Sequence, residues 1–232
     1  MPRPLPSLIL FARVPRPGLV KTRLARVLTA DGSARLYRAF LEDAARVYLA
    51  ADRWVSVLAA EPDPEDPLLA TLFGSPWRRV AQPEGDLGAR LRVLFEAEFA
   101  RGAPAAAAVG SDHPALRRRL LEEAFGRVGD GVDAALVPAE DGGYCAVALS
   151  RRASLSTFSG IPWSSDSVLA TTLERLRAAG MSFALLETAY DVDRPEDLER
   201  LRIDLAARDA GAADFPRATA RALADLLAER GR

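Results

Sequence analysis

Ser7-Leu8-Ile9-Leu10-Phe11-Ala12, running into Arg13-Val14-Pro15-Arg16-Pro17-Gly18-Leu19-Val20-Lys21-Thr22-Arg23-Leu24, decides the fold. The first six residues are apolar without alternation, so they read as a short strand buried on both faces, as in a parallel sheet. The strand leads into a Pro-Gly loop carrying Arg13, Arg16, Lys21 and Arg23, with Arg26 just beyond. A short helix is expected from about Val20, so free backbone N–H groups would add to the loop's attraction for anions. Such a loop suits a di- or triphosphate. It is not a P-loop, which needs a Gly directly before the Lys where this chain has Val20, nor a G-x-G-x-x-G dinucleotide motif. The plainer reading is a solvated basic loop.

Working outward, strand and helix patterns alternate. Asp31 to Ala51 reads as a helix with Leu36, Phe40, Ala44 and Val47 on one stripe. Strands are expected at Trp54–Ala59, Trp77–Ala81, Ala105–Val109, Val132–Pro138, Tyr144–Leu149 and Ser182–Glu187. Helices are expected at Leu87–Ala100, Ala115–Val128, Asp166–Ala179, Pro195–Ala207 and Pro216–Arg230. The prolines between Glu61 and Pro67 mark a loop. Asp209 to Asp214 is a hinge or a loop before the last helix. The alternation indicates an α/β protein with a mostly parallel sheet and helices on both faces. With no repeat and no clear linker, 232 residues read as one domain, 1–232, with the last helix, about 215–230, packed on it.

Composition narrows the function. The formal net charge is −1, which speaks against a nucleic-acid binder working by bulk electrostatics. The single cysteine, Cys145, excludes a disulfide framework and reads as a small buried hydrophobe. The single histidine, His113, excludes a two-histidine metal site. No apolar run approaches the roughly 20 residues of a membrane span, and the Ser7–Ala12 run is too short for a signal-peptide core. A reducing cytoplasm is the expected compartment. Of 31 Lys plus Arg, one alone is a lysine, Lys21. Lysine offers a compact ammonium on a flexible stem where arginine offers a broad fork, so this position suits a narrow phosphate pocket.

Ligands of open α/β sheets bind beyond the carboxyl ends of the strands. Polar groups gather there: Arg13 and the basic loop; Gln82-Pro83-Glu84-Gly85-Asp86; Gly110-Ser111-Asp112-His113-Pro114; Glu140-Asp141-Gly142-Gly143; and Asp191-Val192-Asp193. Asp112 with Asp191 or Asp193 offers hard oxygen ligands to Mg²⁺ or Mn²⁺, with phosphate completing the shell. Asp193 also sits where a helix N-cap belongs, ahead of Pro195, and both readings stand. The Glu140–Tyr144 turn is either a plain strand connection or an acceptor-binding element with a base. Trp163 is either a lid that stacks on a ligand or a hydrophobic staple before the next helix.

Taken together, Phe11-Ala12-Arg13…Pro17-Gly18-Leu19-Val20-Lys21-Thr22-Arg23-Leu24, Gly85-Asp86-Leu87-Gly88-Ala89-Arg90, Gly110-Ser111-Asp112-His113-Pro114, Glu140-Asp141-Gly142-Gly143-Tyr144 and Asp191-Val192-Asp193-Arg194-Pro195-Glu196-Asp197-Leu198 resemble a bacterial family of GT-A-fold glycosyltransferases, including members linked to arsenosugar synthesis. More distantly the chain is similar to 2-phospholactate guanylyltransferase and the molybdenum-cofactor nucleotidyltransferases. The resemblance implies a single-domain, three-layer α/β/α architecture with a mostly parallel, mixed sheet: the Rossmann-like GT-A, or nucleotide-diphospho-sugar transferase, fold. It implies nucleotide phosphates on Arg13, Gly18, Lys21 and Arg23, and a base near Gln82, Gly85 and Asp86. It implies metal on Asp112 and Asp193 with Asp191 in support; the reading of the turn and of Trp163 adds an expected acceptor near Glu140, Gly142, Gly143, Tyr144 and Trp163. The family commonly has Asp-Cys-Pro where this chain has Asp112-His113-Pro114, so a different acceptor pocket is expected.

The expected function is metal-dependent glycosyl transfer from a nucleotide sugar to a small molecule, with Lys21 and Asp112 on the leaving diphosphate and Asp141 activating the acceptor. One alternative is nucleotidyl transfer from a nucleoside triphosphate, releasing pyrophosphate. Another is a non-catalytic nucleotide-binding protein, which would have little use for the carboxylates.

Overall fold

The computed structural model describes residues 4–230. Along the chain run β1 (Ser7–Arg13), α1 (Ala25–Val47), β2 (Val55–Glu61), α2 (Pro67–Leu72), β3 (Arg78–Ala81), α3 (Leu87–Ala100), β4 (Ala105–Gly110), α4 (Arg118–Gly129), β5 (Ala134–Pro138), β6 (Tyr144–Ser150), α5 (Val168–Ala178), β7 (Phe183–Leu185), α6 (Pro195–Ala207) and α7 (Arg217–Arg230), with a 3₁₀ turn at Leu155–Phe158. The strands form one sheet in the order β3-β2-β1-β4-β6-β5-β7. β6 alone is antiparallel to its neighbours; every other pairing is parallel. The three-layer, mixed and mostly parallel architecture expected from the sequence is therefore present. Because β6 runs backwards, its start at Tyr144 lies on the same rim as the ends of the parallel strands.

The apolar run of β1 is buried on both faces. Leu8, Leu10 and Ala12 face the layer of α1, α2, α4, α6 and α7, while Ile9 meets Leu94 of α3 on the other side. β4 achieves the same with alanine. Ala105 and Ala107 join the first layer, and Ala106 and Ala108 join the second, which contains α3 and α5. Phe95 and Phe158, stacked at 5.7 Å, fill the volume those small side chains leave.

Some boundaries move. α1 begins at Ala25 rather than Asp31, but it is broken at Thr29 (φ 64°), whose hydroxyl accepts from Gly32 N–H at 3.1 Å. The regular helix thus starts close to where its apolar stripe does. The proline-rich loop ends at Asp66, which caps the unexpected helix α2 by accepting from Leu68 N–H at 3.0 Å, with Pro67 in the first turn. α4 and β5 start later than the apolar pattern suggests, and β7 is only three residues long. Asp209 to Asp214 is a loop pinned by Arg46, which donates to the carbonyls of Ala213 and Phe215.

α7 is held against α1 by a buried carboxylate. Asp43 accepts from Ala218 N–H at 3.2 Å and Thr219 N–H at 2.7 Å, so a residue of α1 caps the first turn of α7. Asp43→Ala leaves those donors without a partner in a dry interface. We expect a loss of about 2 kcal/mol, read as a lowered urea midpoint. An unchanged midpoint would show that α7 docks by its apolar face alone.

Candidate functional site

β1 has β2 on one side and β4 on the other, so the chain's winding reverses at the β1–β4 boundary. In open α/β sheets this switch point leaves a crevice at the carboxyl ends. Phe11 pairs with Gly110 at that edge, so the loops after β1 and β4 leave the sheet side by side. The loop after β1 is tethered by buried Val14, Val20 and Leu24. Within it Leu19 N–H closes a turn on Arg16 C=O at 3.1 Å, with Pro17 second and Gly18 third, where φ is +77°. That left-handed position favours glycine. The helix expected from Val20 does not form. Residues 18–24 make turns, and α1 starts at Ala25. The cause is Lys21, a non-glycine residue held at φ +47°.

This backbone sends the Lys21 side chain inward, where it is 4% exposed. Its ammonium lies 2.5 Å from Asp112 Oδ1 and 3.9 Å from Asp193 Oδ1, with the Phe40 ring centroid 6.0 Å away. Asp112 follows β4 directly. Its carbonyl accepts from Val192 N–H at 2.9 Å, which ties the end of β4 to the segment before α6. Gly110 lets His113 approach closely, since a Cβ there would stand 3.2 Å from His113 Nε2. Burial pushes the Asp112 carboxyl up, but the charge and hydrogen bond of Lys21 outweigh it and hold the group below the usual aspartate range. Burial lowers His113, while the charge of Asp112 works the other way. Burial raises Asp191; His113 opposes this and the charge of Asp141 reinforces it.

The structure separates the two readings of Asp193. Its carboxylate turns away from α6, onto Arg23 at 2.6 Å and Lys21. The capping is done by Asp197, whose Oδ2 accepts from the N–H groups of Asp193 and Arg194 at 2.9 and 2.6 Å. Asp193 is not the cap of that helix.

Each loop cation but one has an acid partner. Arg13 pairs with Glu61 at 2.5 Å, Arg16 with Asp66 at 2.8 Å, Lys21 with Asp112 and Arg23 with Asp193. Arg26 makes no ion pair among the described residues. The sequence pattern also missed Tyr37. Its hydroxyl accepts from Arg13 N–H at 3.1 Å and bonds Ser111 Oγ at 2.7 Å, joining the starts of the two site loops. Burial raises the phenol above its ordinary value, so it remains protonated. On the sequence it looks like one more residue of α1's apolar stripe.

The expected base loop lies next to Arg13. The Gln82 amide donates to the carbonyls of Ala12 and Ala59, both at 3.0 Å, and accepts from Arg90 at 2.8 Å. Arg90 also pairs with Glu61 and donates to Gly85 C=O. Gln82 therefore braces the loop, and Asp86 caps α3 through Ala89 N–H at 2.8 Å. On the acceptor side, both oxygens of Glu140 bind Arg200 at 2.5 Å, and Arg200 lies over Tyr190. Asp141 is exposed, with Oδ1 accepting from Gly143 N–H at 2.9 Å. Gly142 sits at φ +89° against Asp166, where a Cβ would overlap its carbonyl oxygen at 2.0 Å. Trp163 packs edge-on to Tyr144 of β6 at 6.4 Å and beside Gly88 of α3.

Mg²⁺ commonly takes one or two protein carboxylates and completes its shell with water and phosphate. Asp112 and Asp193, both directed at one ammonium, fit that pattern. No group of three or more His, Cys, Asp or Glu suited to a metal occurs among the described residues, so the donor set is a partial one.

The mostly parallel sheet with cations and carboxylates at its switch point is of the nucleotide-diphospho-sugar transferase fold. The chain belongs to the family described as "Uncharacterized protein conserved in bacteria (DUF2064)", whose model matches residues 44–165. That span holds Asp112 and the acceptor turn. No curated protein matches the sequence. Among solved structures, a candidate nucleotide-diphospho-sugar transferase from Desulfovibrio desulfuricans G20 superposes with a TM-score of 0.87 at 27% identity, over 99% of this chain and 98% of that one. The fold also matches 4-diphosphocytidyl-2C-methyl-D-erythritol synthase from Anaerococcus prevotii DSM 20548 (TM-score 0.58, 13% identity, 88% and 96% covered). CMP:2-keto-3-deoxy-manno-octonic acid synthetase complexed with CTP matches at 0.53, with 16% identity and 87% and 98% covered. The first of these neighbours is a transferase by name.

The geometry leads to two expected outcomes. A carboxyl held below its ordinary value stabilises the fold above that value, about pH 4 for aspartate, and loses the contribution as pH falls through its folded value. The urea midpoint of Asp112→Asn should lie below that of the native protein near neutral pH, with the gap closing towards pH 3; a gap independent of pH would show that the Lys21 pair contributes nothing. For the helix, Asp197→Ala should cost about 1 kcal/mol and Asp193→Ala should cost none of that capping energy. Thermal melts of the two variants check this, and the reverse ranking would restore Asp193 as the cap.

Proposed function

We propose that the chain is a metal-dependent transferase that binds a nucleotide by its phosphates at the β1–β4 crevice and transfers the sugar of a nucleotide sugar to a small-molecule acceptor. The observation that carries this reading is the meeting of Lys21, Asp112 and Asp193 at one point of the switch region. Asp112 and Asp193 would hold Mg²⁺ or Mn²⁺, which supplies charge stabilisation to a departing diphosphate. Lys21 and Arg23 would neutralise that diphosphate from the protein side, Lys21 from a buried position where its charge acts with little screening. Tyr37 keeps the two loops in register. Gln82 and Arg90 hold the base-side loop in shape, leaving its backbone to meet the base.

The acceptor would lie over Gly142-Gly143-Tyr144. Asp141 is the carboxylate there with an uncommitted oxygen, so it is the base we assign to the acceptor hydroxyl. Glu140, tied to Arg200, fixes the turn rather than meeting substrate. Asp191 would support the metal site, its carboxyl held above the usual aspartate range by burial.

Nucleotidyl transfer is the second reading, favoured by the number of loop cations at the crevice, enough for a triphosphate. One neighbour of the same fold, CMP:2-keto-3-deoxy-manno-octonic acid synthetase, is complexed with CTP, a nucleoside triphosphate.

A thermal-shift panel decides between the readings. Bound ligand raises apparent stability by RT ln(1 + [L]/Kd), so ligands rank directly. We expect nucleotide sugars with Mg²⁺ or Mn²⁺ to give the largest shift, and the shift to vanish with chelator or in Asp112→Asn. A larger shift with nucleoside triphosphates would move the assignment to nucleotidyl transfer. No shift with any nucleotide would remove both.

A further inference from the structure

We infer that the site takes its metal and its diphosphate only together, as a metal–diphosphate chelate, because Lys21 already engages the carboxylates that a metal would need. This rests on the nucleotide-transferase reading of the same crevice and specifies the form of its ligand.

The argument begins with charge. Asp112 and Asp193 carry two negative charges, and Lys21 and Arg23 carry two positive charges, at 2.5 to 3.9 Å. The cluster is matched as it stands. A free divalent cation would have to share Asp112 with an ammonium 2.5 Å from the same oxygen. A free diphosphate would meet Lys21 and Arg23 already paired, and two carboxylates of its own sign. When both arrive together, metal replaces ammonium on the carboxylates and phosphate replaces carboxylate on Lys21 and Arg23. Every charge then keeps a partner, so each ligand favours the other, and linkage makes the effect mutual.

Local structure supports such an exchange. The Lys21 backbone is fixed: its carbonyl accepts from Leu24 N–H at 2.9 Å, and its neighbours Val20 and Leu24 are buried. Its stem has rotatable bonds and ends in a point charge, so the head can change partners while the loop stays in place. At 4% exposure the ammonium has no solvent to fall back on, so it leaves Asp112 only for another anion. The neighbouring Arg16–Asp66 pair is matched in the same way.

The test uses metal and inorganic pyrophosphate as probes. Titration calorimetry of Mn²⁺ into the native protein and into Lys21→Met, without nucleotide, should show binding at least about tenfold tighter in the variant, whose Asp112 is released. Lys21→Met that binds Mn²⁺ no more tightly than the native protein overturns the inference. Should Lys21→Met fail to fold, the native protein gives an independent answer. It has one lysine, so ¹³C-lysine labelling yields a single set of side-chain resonances. The Cε signal should hold its place with Mg²⁺ alone and with pyrophosphate alone, and move when both are present. Movement with either probe alone, or none with both, overturns the inference. A protein that shifts with nucleotide sugars yet shows independent binding of the two probes keeps the functional reading and loses this one. A protein that meets no nucleotide but still gains Mn²⁺ affinity in Lys21→Met does the reverse.

Discussion

The ammonium of Lys21, buried against Asp112 and facing Asp193, joins three elements distant in sequence: the loop after β1, the end of β4 and the segment before α6. A lone charge at 4% exposure would be costly to bury, on the scale of several kcal/mol per ion. It is tolerated because a carboxylate lies at 2.5 Å and because that carboxylate is itself 51% exposed. The pair is thus half-open: one partner is dry, the other keeps water. This asymmetry suits a binding site better than a structural one, since a structural pair gains from being closed on both sides and a binding pair must accept a third charge.

The rest of the fold serves that junction. The loops after β1 and β4 can meet only if the strands beneath them are neighbours, and β4 can lie against β1 with helices on both faces because its residues are small. Tyr37 and Ser111 then fix the register of the two loops with hydrogen bonds instead of charge, which leaves the carboxylates free to respond to a ligand. The reversed strand β6 brings Gly142 to Tyr144 to the same rim, and Gly142 is pressed so closely on Asp166 that a side chain has no room.

Much of this was legible in the sequence. The strand at Ser7–Ala12, the alternation of elements and the rim positions of Asp112, Asp193 and the acceptor turn come from local pattern, because apolar period and strand ends are local properties. What the pattern could not show is pairing. Five cations in one stretch look like a strongly positive loop, yet Glu61, Asp66, Asp112 and Asp193 neutralise four of them from other elements. Gln82 looks like a base-reading amide and is instead consumed by the carbonyls of Ala12 and Ala59. Asp193 looks like a cap, but the capping oxygen comes from Asp197 one turn later. Tyr37 gave no signal, since a buried tyrosine on an apolar stripe differs from its neighbours only by the bond its hydroxyl finds across the fold.

These corrections share a physical direction. Most of the polar groups that looked free in sequence are held by a partner, whereas Arg26 makes no ion pair among the described residues and the Tyr144 hydroxyl and Trp163 indole N–H are buried without a hydrogen-bond partner. The working capacity of the site therefore lies in exchange rather than in vacancy. Arg13, Arg16, Lys21 and Arg23 are available to an incoming anion only to the extent that their carboxylates acquire another cation. Of those carboxylates, Asp112 and Asp193 converge on one point, whereas Glu61 and Asp66 each hold a different arginine at the end of a different element. The convergence of charge is for that reason concentrated at Lys21, and the outer arginine pairs stand around it.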